Sequence, residues 1–158
     1  MYPPLAAAEC VRDVEALPSP RIDPNPDASI VASYHAAGYP VFGYAGSIHE
    51  WSWWLRGMER FMIDMAESPV LAEAVIRKVE SHTTSLALAT ARLGLDVLCM
   101  YDDAGTQRGM QISPVWWRRY IKPAWRQVLS TVRREFPHPP ILQGMADVPG
   151  SSGRPADE

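Results

Sequence analysis

Apolar and polar positions along the chain follow two alternating periods. PVFGY, from Pro40 to Tyr44, is a short apolar run closed by Ala45-Gly46, which predicts a strand. From Ser47 to Met65 the large apolar residues Trp51, Trp54, Leu55, Met58, Phe61, Met62 and Met65 recur mostly three or four apart. That spacing predicts a helical stripe, broken near Gly57. Ser68-Pro69 then pairs a good N-cap with the residue best suited to a first helical turn. The helix should run to Leu93 and stop at Gly94, burying Leu71, Val75, Val79, Leu86 and Leu93 along roughly 37 Å. Asp96 to Tyr101 predicts a second strand. Ser113-Pro114 repeats the Ser-Pro start, and its helix should reach about Phe136 with a kink at Pro123, which lacks an N–H and clashes with the preceding turn. Pro140 to Gln143 predicts a third strand, and Asp27 to Ala37 a short helix.

The ends have a different texture. Residues 1–26 carry PP and PSP and lead into DPNP, with one short helical stretch around Ala7 to Leu17. They predict an extended arm over the surface of a domain spanning 27–143. Residues 144–158, GMADVPGSSGRPADE, offer almost nothing to bury and predict a disordered tail. Strands that are apolar on both faces and joined by helices make a parallel α/β sheet. In such sheets ligands sit beyond the carboxyl ends of the strands. The second strand ends in YDD, so Asp102 and Asp103 fall on the ligand side. Alternation sends the two side chains to opposite faces. At most one of them points at ligand, while the other faces the helices or caps a turn.

Composition narrows the classes of function. The 158 residues are 47% hydrophobic and 21% charged, which describes a globular protein. A net charge of -3 and the lack of a basic stripe argue against nucleic acid as a partner. No apolar run approaches the ~20 residues that cross a bilayer, and the N-terminus lacks the pattern of a leader peptide. Cys10 and Cys99 are lone thiols without CxxC spacing and read as reduced residues of a cytoplasmic protein.

The stretch GLDVLCMYDDAGTQRGMQISPVWWRRYIKPAWRQVL resembles the central region of the uroporphyrinogen decarboxylase family, whose superfamily includes corrinoid-dependent methyltransferases. The shared features are a strand ending in a polar pair, an Ala-Gly turn, a Ser-Pro helix start and a Lys-Pro kink. Upstream, PVFGYAGSIHEWSWWLRG resembles the family's strand and aromatic helix, and LRGMERFMIDMAESPVLAEAVIRKV its following helix pair. The resemblance spans about Tyr39 to Gln143. It implies a (β/α)₈ barrel, and with about three parallel strands and long helices this chain is expected to form part of one, since a full barrel takes about 250 residues. The chain is expected to be a truncated or frame-changed piece, inactive alone and able to self-associate through an exposed barrel edge.

The resemblance also ranks residues. Asp102 falls where the decarboxylases place a substrate-contacting serine, and is the expected catalytic residue. The alternative is a turn aspartate capping the next loop. Asp103, Gln107, His49 and Trp53 are the expected substrate-binding residues, Trp53 lying near a family tyrosine and His49 in a strand–helix loop. For Gln107 the competing role is bracing the loop, and for His49 a plain surface position. The implied chemistry is cofactor-free decarboxylation of porphyrinogen acetate groups, in porphyrin biosynthesis. The first alternative is methyl transfer with zinc and a corrinoid. The second is a non-catalytic remnant. His35, His82 and His138 have no partner at ligand spacing, so no metal is expected from the residues themselves.

Overall fold

The computed structural model describes residues 2–137 and, for the backbone alone, 141–145. The elements in chain order are α1 (Val11–Ala16), α2 (Ser29–Ala36), β1 (Phe42–Tyr44), α3 (His49–Arg56), α4 (Met58–Glu67), α5 (Pro69–Ala91), β2 (Val97–Asp102), β3 (Gly105–Thr106), β4 (Gly109–Met110), α6 (Pro114–Trp116), a π turn (Trp117–Ile121), α7 (Lys122–Glu135) and β5 (Ile141–Met145). Strands β1, β2 and β5 form a parallel sheet in that order. Tyr44 lies opposite Cys99 and Tyr101 opposite Gly144. The chain is therefore mixed α/β, mostly helical, with the sheet and helix order of part of a barrel. Gly144 and Met145, which the composition assigns to the tail, pair with Tyr101 and Asp102. The rest of it, 146–158, lies outside the described residues, as does His138.

The predicted break near Gly57 is real. Gly57 has φ 89°, ends α3 by donating to Trp53 and opens α4 by accepting from Phe61. A side chain there would meet the left-handed strain that glycine avoids. The joint folds α4 back on α3, and both pack on α5. Helix α5 lies on one face of the sheet with α7 packed beside it, and Leu98 and Met100 of β2 are buried in the same core. Phe61, Val75, Val128 and Val132 complete this core. Each fully buried side chain of this size contributes roughly 1.5–3 kcal/mol. On the other face Phe42, Tyr44 and Tyr101 are exposed, at 60%, 39% and 47%.

Two departures from the sequence pattern have physical causes. The second half of α5 buries Thr83, Ala87, Thr90 and Ala91, whereas Leu86 and Leu93 are only partly buried. Small side chains are needed there because the helix runs close to the sheet. A Cβ at Gly43 would lie 2.6 Å from Thr90 Cγ2 and against Leu95 as well. The kink expected at Pro123 takes the form of the π turn just before it. Lys122 N–H donates to Trp117 O, five residues back, and Pro123 follows in the first turn of α7. The wider turn makes room for the ring and for the hydrogen bond that proline cannot donate.

The N-terminal arm is more than a surface strap. Leu5, Ala8 and Val14 enter the core, and Leu5 N–H donates to Leu55 O. Arg56 holds the arm in place and is only 1% exposed. Its guanidinium donates to Asp64 Oδ2 through Nε at 2.6 Å and to the Leu5 and Ala6 carbonyls through Nη1. Asp64 is itself buried, so the pair joins α3, α4 and the arm across the Gly57 joint.

Candidate functional site

The carboxyl ends of β1 and β2 meet the N-terminus of α3. Asp102 is the last residue of β2 and is 2% exposed. Its carboxylate accepts four hydrogen bonds. Oδ1 receives Ser47 Oγ–H at 2.5 Å and Glu50 N–H at 2.9 Å. Oδ2 receives His49 N–H and Trp125 Nε1–H, both at 2.8 Å. Two of these donors are free backbone amides of the first turn of α3, so Asp102 caps that helix from a neighbouring strand. The indole of Trp125 ties the same carboxylate to α7. Of the adjacent aspartates, Asp102 is therefore the one on the helix side. Both of its oxygens are filled by protein donors.

His49 and Glu50 follow directly. His49 is fully buried, with Nε2 3.4 Å from Gln111 Oε1 and its ring 6.0 Å from that of Phe61. Burial holds its pKa below the ordinary histidine value, against the pull of Asp102, Gln111 and Asp103. The ring is thus neutral at pH 7. With the Nε2 proton facing Gln111, Nδ1 is an acceptor without a partner. Glu50 has its pKa raised, first by burial and then by the charges of Asp103 and Asp102. Its Oε2 is buried and unpaired. Trp53, one turn along, has a buried and unpaired Nε1–H, and its ring meets Trp54 edge-on at 6.0 Å. Among the described residues four buried side-chain polar atoms have no partner, and three of them belong to this one turn of α3. Buried polar atoms in folded proteins are nearly always paired, so this concentration is informative.

Tyr44 and Tyr101 stand on the exposed face of the sheet with ring centroids 4.8 Å apart and planes inclined at 31°. The Tyr44 hydroxyl is held well above the ordinary phenol range by burial, by Tyr101 and by the nearby charges of Glu50 and Asp102. Asp103 is partly buried beside this group. Gln107 stands apart. It is exposed between β3 and β4, a small antiparallel hairpin that the sequence pattern does not announce. The structure thus brings Asp102, Asp103, His49 and Glu50 together, with Trp53 one helical turn away. Glu50, Gln111, Tyr44 and Tyr101 were not legible as site residues. Only the strand-end position of Tyr44 and Tyr101 could have pointed to them.

Residues 11–149 match the family model for uroporphyrinogen decarboxylase (URO-D). The chain belongs to the uroporphyrinogen decarboxylase family. This is an enzyme family of barrel fold that acts on small molecules. Searches of the curated proteins and of the solved structures returned no match. Among the described residues no helix is long and apolar enough to cross a membrane.

Proposed function

We propose that the carboxyl ends of β1 and β2 form one wall of a decarboxylase-type site, in which Glu50 handles the proton and Asp102 positions α3. The carrying observation is the unpaired Oε2 of Glu50, buried at the N-terminus of α3 beside Tyr44 and Asp103. The reading fits the family match. Loss of carbon dioxide breaks a C–C bond and leaves an electron pair on the substrate, and that carbon must then take a proton. A carboxyl whose pKa is raised by burial and by neighbouring carboxylates is suited to donate it. Solvent then restores the proton to Glu50. The paired rings of Tyr44 and Tyr101 offer a face to a flat pyrrole ring. The substrate class is the porphyrinogen acetate group, and the wider fold a (β/α)₈ barrel.

A second reading draws on charge. Glu50, Asp102 and Asp103 are all acidic, and two carboxylates beside a third disfavour a polycarboxylate substrate. That favours the superfamily's corrinoid-dependent methyl transfer. Among the described residues no three His, Cys, Asp or Glu side chains converge to hold a metal ion, so no step is drawn through zinc. The deciding experiment assays the purified protein with a porphyrinogen and with a methylcorrinoid. Glu50→Gln is expected to lower decarboxylation by ~10²–10⁴-fold, the usual contribution of a general acid. Full activity in that variant would remove Glu50 from the mechanism, and methyl transfer alone would select the second reading.

A further inference from the structure

A cleft half open to solvent lies away from the strand-end residues. It holds about 270 Å³ between the end of the N-terminal arm, α3 and α5. Trp51, Trp54 and Leu17 supply its apolar walls, and Lys78 and His82 stand on its α5 side. Trp54 is 49% exposed, which is unusual for the largest apolar side chain unless something else covers it. The His82 ring lies 5.7 Å from that of Trp51. Burial lowers the His82 pKa, so this imidazole is uncharged at pH 7. No acidic residue lines the cavity, and among the described residues Lys78 makes no ion pair. The result is a half-open, largely apolar cleft with Lys78 as the one charged residue in its lining.

Size and charge together define what fits. A cavity of about 150 Å³ holds one benzene ring. The extra volume here accommodates a ring with one short substituent. One lysine in an otherwise apolar lining favours a ligand with one negative charge and an apolar body, because a few polar groups set orientation while apolar area supplies affinity. From these features we infer that the cleft is a binding site for a small aromatic monocarboxylate, its carboxylate met by Lys78 and its ring packed against Trp51 and Trp54. The site is separate from the strand ends, but Trp51 connects the two regions. A Cβ at Gly46 would lie 2.7 Å from Trp51 Cη2, so the indole rests on the turn that carries Ser47 to Asp102.

Benzoate is the probe, and toluene its uncharged counterpart. Both are titrated into the full chain and followed by backbone amide NMR, which locates the contact, and by tryptophan fluorescence. Benzoate should shift the resonances of Leu17, Trp54 and His82 saturably and bind more tightly than toluene. Lys78→Gln should weaken benzoate by about tenfold, the low end for a hydrogen bond to a charged group, and leave toluene unchanged. Trp54→Ala should weaken both. Glu50→Gln should leave benzoate affinity as it was, which separates this site from the strand-end site. Failure of benzoate to saturate, equal binding of benzoate and toluene, or equal affinity in Lys78→Gln would overturn the assignment.

Discussion

Replacing Asp102 by alanine removes one side chain and strands four donors. The native carboxylate satisfies the Ser47 hydroxyl, the His49 and Glu50 amides and the Trp125 indole, all inside the protein. The hydroxyl can turn to another acceptor, but the two amides and the indole are fixed in direction. Each unpaired buried donor costs ~1–3 kcal/mol. Part of that sum is returned because a buried negative charge no longer has to be held away from water. A net loss of about 3–5 kcal/mol follows, a large fraction of the ~5–15 kcal/mol that keeps a domain folded. Asp102→Asn should cost less, ~1–3 kcal/mol. Its oxygen can keep the His49 amide and the indole while its NH₂ donates to a reversed Ser47 hydroxyl, leaving the Glu50 amide alone. Urea denaturation of the purified chain measures both, with an unchanged slope required for a valid comparison. An alanine variant within 1 kcal/mol of the parent, or an asparagine variant worse than alanine, would refute the reasoning.

Other perturbations test the remaining structure. Arg56→Met should destabilise by about 3–5 kcal/mol, because Asp64 is left buried with only the distant Arg60, 3.9 Å away, and the double variant Arg56→Met/Asp64→Leu should recover much of the loss in the same urea assay. Glu50→Gln should change the pH dependence of stability. The folded state raises the Glu50 pKa, so its favourable contribution is complete below the unfolded-state value and is lost as pH rises through the folded value. Melting at pH 4 should therefore be similar in parent and variant, and at pH 7 the variant should melt higher; the opposite order would place Glu50 in a favourable ion pair. Gly43→Ala should cost ~1–3 kcal/mol by overpacking against Thr90 and Leu95, and a neutral result would show that α5 can move off the sheet.

Much of the fold was written locally. Ser68-Pro69, Ser113-Pro114 and Gly57 act on their immediate neighbours, so the ends of α4, α5 and α6 could be read from short stretches. The capping of α3 could not. Its acceptor is 53 residues away from the His49 amide, and nothing near His49 announces it. Nothing in the helical stripe marks Arg56 and Asp64 as partners. They become a buried pair only because the chain reverses at Gly57. Leu5 sits in a proline-rich stretch with no usable period, and the helical stretch around Val14 is too short to show which face is buried. For the site, the strand-end position of the aspartates was legible, but which of the two turns inward depends on the register of β2.

The π turn before Pro123 sets more than a bend. In a regular α-helix each residue advances the side chains by about 100°. An extra residue absorbed in one turn therefore fixes the angular phase of everything downstream. Trp125 meets Asp102 and Val128 and Val132 meet the core only in that phase. Pro123 helps keep the count, since it cannot supply the N–H that a regular turn would need. Losing a single residue between Trp117 and Ile121 would rotate α7 like a key turned part-way in its lock, and the bond that joins the helix layer to the end of β2 would be the first to miss its partner.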